Sequence, residues 1–252
     1  MNPTPAPTPT PPPSPSPTPS PPPTTRTTRP PTPPPVYYTG ALIDRHTGEV
    51  RGSNVARTSF SESTVKIWLA ADYLNRQGNG GIDVNPTELA RLQKMIRLSD
   101  DAAADHFYSL NGGNASISRM INTCHLGNSS VYSGWWSKTL ISAQDLAKLG
   151  LCIADGTATN PAATAWILEQ MRNVGGDGLF GIKFALPEPD RSALAIKNGW
   201  YNHGFDSRWR VLCLGVHADW VLAIENTYPS KYGRSYGENN CVTVTKMVLG
   251  LP

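Results

Sequence analysis

Apolar residues recur every three to four positions through the middle of the chain, which is the period of an amphipathic helix. Over residues 64–76 the apolar side chains include Val65, Trp68, Leu69 and Tyr73, and a glycine-rich segment ends the run. This spacing predicts a helix. The same period predicts four further helices, over residues 85–96, from 102 to just before Gly112, from Ser142 onward, and over 161–171.

Two of these helices have recognisable starts. Asn85 is in the capping position, Pro86 is the first helical residue, and Glu88 is expected to reach back to the cap. Ser142 with Asp145 three residues later forms a second capped start. Both beginnings are therefore fixed by side chains as well as by the apolar period.

The period changes to that of extended chain near both ends. Two apolar runs flank His46-Thr47-Gly48 and predict a hairpin over residues 38–51, with the glycine in the turn. After a glycine-rich loop, strands are predicted at 193–196, 210–216 and 220–224, followed by a helix at 242–249. This order predicts an α+β domain, in which the N-terminal hairpin and the C-terminal strands share one antiparallel sheet beside a helical lobe.

The first 35 residues have neither period. They hold 18 of the 24 prolines, mixed with Thr, Ser and Ala. Such a segment cannot bury enough apolar surface to offset its ordering entropy, so residues 1–35 are interpreted as a disordered, extended tether. A proline-binding partner, O-glycosylation or attachment to a larger particle are further readings of the same composition. Residues 36–252 are long enough for one domain with a substantial core.

Composition excludes several classes of function. The net charge of +3 is spread without a basic stripe, so no nucleic-acid binding is predicted. No apolar run is long enough for a membrane span, and no secretory signal is seen. A Pro/Thr tether is nevertheless typical of extracytoplasmic proteins. We therefore expect a secreted, cell-wall or virion location, reached either after loss of a leader or as part of a phage particle.

The cysteines and histidines give no metal-ligand spacing, so no metal and no cofactor is predicted. Four cysteines allow three disulfide pairings, of which Cys124–Cys152 and Cys213–Cys241 is the most local. Free buried thiols are the alternative. The histidines are interpreted as structural or solvated residues.

Ser63 and Lys66 stand at the start of the first predicted helix and are candidates for chemistry. Residues three apart on a helix lie on the same face. In the first turn, free N–H groups and the helix dipole favour developing negative charge on Ser63. An amine with a lowered pKa can take the hydroxyl proton and make the serine a nucleophile. On its own, the same pattern also describes a helix cap followed by a solvated lysine.

Two further segments give that pair a context. Ser99-Asp100-Asp101 lies between the second and third helices, and Lys197-Asn198-Gly199 ends the first late strand. In order and position, S-x-x-K, S-D-x and K-x-G resemble the motifs of the penicillin-recognising serine hydrolases, in particular class A β-lactamases and D-Ala-D-Ala carboxypeptidases. The neighbouring residues 95–98, 102–104 and 195–196 are similar as well. The resemblance extends over residues 38–250.

The resemblance implies catalytic roles for four residues. Ser63 would be the acylated nucleophile and Lys66 its general base or proton relay. Ser99 would pass a proton to the leaving nitrogen, and Lys197 would hold that hydroxyl and the substrate carboxylate by its charge. Backbone N–H groups of Ser63 and Trp200 would form the oxyanion hole.

Substrate binding is implied for Asp101, Asn198, Gly199 and Trp200. Gly199 would leave room for substrate backbone along the strand edge. Asn198 replaces the family's usual threonine or serine and is still expected to donate to a carboxylate. Asp101 replaces the usual asparagine and can only accept hydrogen bonds when ionised, so it is expected to pair with Lys66 and hold it charged.

A third departure concerns deacylation. Class A β-lactamases carry a glutamate on a loop ahead of a helix start like Ser142, yet no Asp or Glu occurs between Asp105 and Asp145. We therefore expect a serine hydrolase acting on D-Ala-D-Ala-like peptidoglycan peptides and poor at β-lactam deacylation. The alternatives are a non-catalytic cell-wall-binding or phage tail component, and an esterase using the same serine. Trp135 and Trp136 either line a glycan or peptide groove or pack over the helical lobe.

Overall fold

A computed structural model of the protein describes residues 38–252, together with Met1, Pro3 and Thr4. Contacts divide the chain into two units, Met1–Pro35 and Val36–Pro252. Apart from those three residues, the predicted tether lies outside the described part of the chain. The domain boundary at residue 36 stays a prediction.

A five-stranded antiparallel sheet brings together strands from both ends of the domain. Its spatial order is β2-β1-β7-β6-β5, so β5 forms one edge. β1 pairs with β7, with Thr39 opposite Glu225 and Ala41 opposite Ala223. The predicted fold class is thereby confirmed. The strands are β1 (Thr39–Asp44), β2 (Val50–Ser53), β5 (Ala195–His203), β6 (Arg208–Val216) and β7 (Trp220–Pro229).

The chain between β2 and β5 forms the helical lobe. As predicted, the side chain of Asn85 caps its helix by accepting a hydrogen bond from Thr87 N, and the side chain of Ser142 accepts one from Asp145 N. Glu88 does not reach back to Asn85 as expected, because its carboxylate binds Arg91 and His106 instead. The lobe helices are α1 (Lys66–Gln77), α2 (Pro86–Arg97), α3 (Asp101–Leu110), α4 (Asn114–Thr123), α5 (Ala143–Ala154) and α6 (Pro161–Arg172). The short α7 (Asp190–Ala193) follows them and packs with residues 181–185 ahead of β5.

Four elements were not predicted from the sequence. Two are the helices α4 and the four-residue α7, and two are the short strands β3 (Thr58–Phe60) and β4 (Leu140–Ser142), which pair in a second, two-stranded sheet. Three-residue strands are too short to show a period of two. The last helix, α8 (Arg234–Leu249), begins eight residues earlier than predicted, since its first turns are polar.

Side chains of the large sheet alternate between two apolar cores. Ala195, Leu212 and Leu214 pack with the lobe helices, whereas Ile196 and Val211 pack with α8 on the other side. This alternation follows from the two-residue repeat of a strand. The sheet is therefore buried on both faces, and β5 has a lobe side and an α8 side.

One disulfide lies in each of these regions. Cys124 is joined to Cys152 in the helical lobe, and Cys213 on β6 is joined to Cys241 on α8. These are the most local pairs that the sequence allowed. Among the residues described, no helix combines the length and apolar character needed to cross a bilayer.

Candidate active site

Ser63 lies in a single 3-10 turn, Glu62–Val65, that runs directly into α1. Thr64 Oγ1 and N both donate to Ser61 O, at 2.6 and 3.1 Å, which holds this turn in place. Ser63 is half-buried and lines a cavity of about 510 Å³ between α3, the segment before β4 and the end of β5. The predicted nucleophile thus lies at the N-terminal end of α1, in a cleft where the lobe meets the sheet edge.

Lys66, one turn further on, is completely buried. Its Nζ donates to Ser99 O at 2.5 Å and to Asp101 Oδ1 at 2.6 Å, and lies 4.9 Å from the centre of the Trp136 ring. Burial lowers the pKa of Lys66 below its ordinary 10.5, while the hydrogen bond and charge of Asp101 act in the opposite direction. The expected Lys66–Asp101 pair forms, but the effect of burial on the pKa exceeds that of the carboxylate.

Ser99 joins the two buried lysines. Its Oγ accepts a hydrogen bond from Lys197 Nζ at 2.9 Å and a longer one from Lys66 Nζ at 3.4 Å. Ser99 has a backbone φ of +58°, in the left-handed region that residues other than glycine rarely occupy. The next residue, Asp100, caps α3 through Ala103 N. The cap and the two lysine contacts together hold Ser99 in this conformation.

Lys197 is also completely buried, and within the described chain no carboxylate pairs with it. Its Nζ donates only to Ser99 Oγ and to Asn198 O, at 2.9 and 3.1 Å. Burial holds the pKa of Lys197 well below 10.5, and the charge of Lys66 lowers it further. Two amines thus lie close enough to influence each other at a single hydroxyl.

The Ser63 hydroxyl itself makes no hydrogen bond to any residue that the structure describes. The donors of Lys66 go to Ser99 and Asp101 instead. The structure therefore brings Ser63, Lys66, Ser99 and Lys197 to one place without forming the serine–lysine hydrogen bond that proton transfer requires. In unliganded sites such contacts often form only with substrate.

One expectation about β5 needs correction. Asn198 Nδ2 donates to Gly178 O and Phe180 O, at 3.0 and 2.8 Å, on the α8 side of the strand. Both amide protons are used there, so Asn198 does not present a donor to a substrate carboxylate. Its side chain instead holds the loop before α7 against the sheet.

The next residue of β5, Gly199, packs against the turn that bears Ser63. A Cβ on Gly199 would lie 2.8 Å from Ser63 N and 2.9 Å from Glu62 Cβ. Glycine is needed at this point because the turn bearing Ser63 packs directly on the strand, and its expected role in leaving room for substrate stays a prediction. Trp200 follows on the edge strand and lines the cavity, as expected for a residue close to the nucleophile.

Besides Trp135 and Trp136, the cavity wall contains several residues that were not predicted from the sequence. Trp136 is buried and its Nε1 donates to Asp105 Oδ1 at 2.7 Å, whereas Trp135 is 54 % exposed. Both tryptophans line the cavity and Trp136 also packs in the core of the lobe, whereas a glycan or peptide ligand of this groove stays a prediction. The other members of the wall are Glu62, Ser137, Lys138, Tyr201, His203, Gly204 and Phe205. The aromatic residues that follow the K-x-G motif were the available sequence signal.

The carboxylates of the cavity wall are all engaged in hydrogen bonds. The wall contains three, and each has a partner: Glu62 with His203, Asp101 with Lys66, and Asp105 with Trp136. In the described residues, no group of three His, Cys, Asp or Glu side chains gathers as a metal site.

Solved structures with the same architecture decide the fold. TLA-3 extended-spectrum β-lactamase matches with a TM-score of 0.70 at 13% identity, covering 85% of this chain and 94% of that one. A class A β-lactamase from Mycobacterium abscessus matches with a TM-score of 0.63 at 14% identity, covering 84% and 92%. The domain has a class A β-lactamase-like fold. The TM-scores establish the fold and nothing finer, because the identities are only 13% and 14%. This is the fold that the resemblance of the three motifs implied.

The relatives found by sequence have a name that states no enzymatic activity. "Putative lipoprotein LppW" of Mycobacterium tuberculosis and of Mycobacterium bovis are each 29% identical over 199 residues. The alignment covers 75% of this chain and 63% of each relative, so the chain spans less than two thirds of their length. No family model matches the chain.

Proposed function

We propose that the β-lactamase-like domain is a serine hydrolase that forms an acyl-enzyme through Ser63 with D-Ala-D-Ala-like peptides of peptidoglycan. The observation that carries this proposal is the position of Ser99, whose hydroxyl accepts hydrogen bonds from two buried lysines, Lys66 and Lys197. Burying two amines costs free energy, and such buried ionisable groups are typical of functional sites. A proton relay beside the half-buried Ser63 accounts for their burial here.

Acylation uses the four motif residues in sequence. Ser63 Oγ attacks the carbonyl carbon of the scissile amide while its proton moves to the neutral amine of Lys66. The lowered pKa of Lys66 supports this role, because it increases the neutral fraction of the amine. As the C–N bond breaks, Ser99 donates its hydroxyl proton to the leaving nitrogen and receives in return the proton that Lys66 took from Ser63, while the charge of Lys197 holds the Ser99 hydroxyl in place. The N–H groups of Ser63 and Trp200 stabilise the oxyanion.

Deacylation of a β-lactam adduct is expected to be slow. No acidic residue lies between Asp105 and Asp145, and the three cavity carboxylates already have partners. General-base assistance contributes about 10²–10⁴-fold to such a step. The acyl-enzyme formed with penicillin should therefore persist.

A second candidate is a non-catalytic protein that binds cell-wall peptides in the same cavity. It is favoured by the Ser63 hydroxyl, which makes no hydrogen bond to described residues, and by the engagement of Lys66 with Asp101. The phage tail version of this candidate has less support, because the relatives are named lipoproteins.

Two observations support an extracytoplasmic location. The domain contains two disulfides, which persist mainly outside the reducing cytoplasm. Its relatives in two mycobacteria carry the word lipoprotein in their names. A cell-wall location agrees with the proposed substrate.

Mass spectrometry after incubation with a fluorescent penicillin tests the nucleophile. We expect one covalent adduct on the parent protein and none on Ser63→Ala, because only an activated hydroxyl is acylated. The exposed Ser109→Ala on α3 is the matched control and should label like the parent. Equal labelling of Ser63→Ala would disprove the nucleophile assignment.

The lifetime of the adduct separates the candidates. A persistent adduct supports a peptidase, and its absence from the folded parent protein favours the binding role. Rapid release of hydrolysed penicillin would contradict the argument from the missing carboxylate.

A further inference from the structure

A buried pair beside the nucleophile, Glu62 with His203, has no part in the proton relay. His203 Nε2 and Glu62 Oε1 are 2.6 Å apart, and the two residues are only 5 % and 4 % exposed. Glu62 directly precedes Ser63, and both residues of the pair line the cavity. A contact so close to the nucleophile acts on its position whether or not it touches substrate.

The pair is the second of two attachments between the nucleophile turn and β5. The first is at Gly199, where the strand backbone packs directly on Ser63 and Glu62. The second is at His203, four residues along the same strand and about 13 Å further on, given the rise of an extended chain. The turn is also continuous with α1, and Ser61 N donates to Thr139 O, so the contact at His203 adds a restraint on the side of the turn that faces the far end of β5.

The backbone of Glu62 shows why such a restraint is needed. Its φ is +48°, in the left-handed region, which is unfavourable for a residue with a side chain. Such conformations persist only where the surroundings determine them from several directions. The side chain of Glu62, held by His203, is one of those directions.

Aromatic rings enclose the pair. Phe60, Tyr201 and Phe205 lie 5.2, 4.7 and 5.3 Å from the His203 ring, measured between centroids. Arg210 lies over Phe60 and Phe205, at 4.9 and 5.4 Å from their centres. Water is kept from the contact by these rings, and a hydrogen bond in such surroundings is stronger than one in solvent.

We propose that Glu62 and His203 form a positioning pair that fixes the turn of Ser63 against the far end of β5 and so sets the direction of the Ser63 hydroxyl. This role rests on the proposed function, since it concerns the rate at which Ser63 is acylated. The pair does not exchange protons with substrate. It restrains the residue before the nucleophile, and a displacement of about 1 Å at a reacting atom can reduce a rate about 10²-fold.

The test compares Glu62→Ala, His203→Ala, the double variant and the conservative Glu62→Gln. The rate constant for acylation by a fluorescent penicillin and the melting temperature are measured for each. We expect the two alanine variants to be acylated roughly 10 to 100 times more slowly. The double variant should be no slower than either single one, because the two residues act as a unit. Glu62→Gln should recover most of the rate, since its amide still binds the imidazole.

Controls separate positioning from general loss of structure. Glu49→Ala removes the exposed pair between Glu49 and Arg51 and should change neither quantity. Alanine variants that are acylated at the parent rate would overturn the proposal, as would a rate loss that only follows the unfolded fraction. A Glu62→Gln variant as slow as Glu62→Ala would also overturn it.

The two proposals fail in different ways. If the folded parent protein is not acylated at all, the hydrolase function is wrong and the positioning role for it is wrong as well. If the parent is acylated and the alanine variants match it, only the role of the pair is wrong.

Discussion

Buried polar side chains on the two sides of β5 differ in their hydrogen-bond partners. On the lobe side, Lys197 is completely buried with only a hydroxyl and a carbonyl as partners. On the α8 side, Asn198 is equally buried but gives both amide protons to loop carbonyls, among apolar neighbours such as Ile196. One polar group is kept at an energetic cost, and the other holds the fold together.

The contrast distinguishes the residue that we propose to be catalytic, Lys197, from a structural polar residue in the same strand. The Asn198 amide gives both of its protons to the protein, although its Oδ1 has no partner among the described residues, whereas the Lys197 ammonium uses two of its three donors. Lys197 and Asn198 are adjacent in the sequence, yet their side chains differ in what they bind. Substitutions at these two positions are the direct way to break the comparison.

The largest effect is expected for Lys197→Met. Acylation by penicillin should slow by about 10²–10³-fold, because a charged donor at the relay is lost. The free energy of unfolding should stay the same or increase, since a buried cation is replaced by an apolar side chain of similar length. Labelling kinetics and urea unfolding measure the two effects, with Lys246→Met on α8 as control. A destabilised protein with an unchanged rate would show that Lys197 is structural.

Asn198→Ala should give the opposite pattern. The free energy of unfolding should fall by about 1–3 kcal/mol, because the carbonyls of Gly178 and Phe180 lose their donor. Acylation of the folded variant should stay close to the parent rate, since the side chain is on the α8 side. Urea unfolding and labelling kinetics again measure both quantities. A large rise in the penicillin concentration needed for half-maximal rate would restore the carboxylate-binding role expected from the sequence.

The smallest effect is expected for Asp101→Asn, which tests the lobe side without changing its shape. The carboxylate raises the pKa of Lys66, so removing its charge should lower that pKa further and leave more neutral amine near pH 7. Acylation should become a few-fold faster, and the rise of its rate with pH should move to lower pH. A pH–rate profile of both proteins measures this shift, and an unchanged profile would exclude Lys66 as the titrating base.

The same pKa has a consequence for stability. Because the folded state lowers the pKa of Lys66 below 10.5, the unfolded chain binds more protons in the interval between the two values. Stability contributed by this residue therefore increases as pH rises through that interval.

The architecture could be predicted from the sequence wherever the periods were long. The hairpin, most lobe helices and the three late strands each span enough residues for a period to be seen, and the three motifs added the order of the elements. α4 and the short strands β3 and β4 had no such signal. In the site, Ser63 and Lys66 lie at the start of the first helical segment and Ser99 lies before α3, as predicted, whereas Lys197 lies inside β5 and not at its end.

Details that depend on packing could not be predicted. The direction of Asn198 follows from which side of β5 faces α8, and the need for Gly199 follows from the approach of the Ser63 turn. The contact between Glu62 and His203 joins positions 141 residues apart. A local sequence pattern cannot predict a contact between residues so far apart in the chain.

Strand order has a consequence for the time course of folding. β1 belongs between β2 and β7, and the hydrogen-bond partner positions of Thr39 and Glu225 are 186 residues apart. While the ribosome is still making the lobe, β1 has only its hairpin neighbour, and an isolated two-stranded hairpin is marginally stable. Closure of the sheet must wait until the last strands emerge, and bringing such distant segments together is slow. The large sheet consequently stays incomplete until β7 has been synthesised.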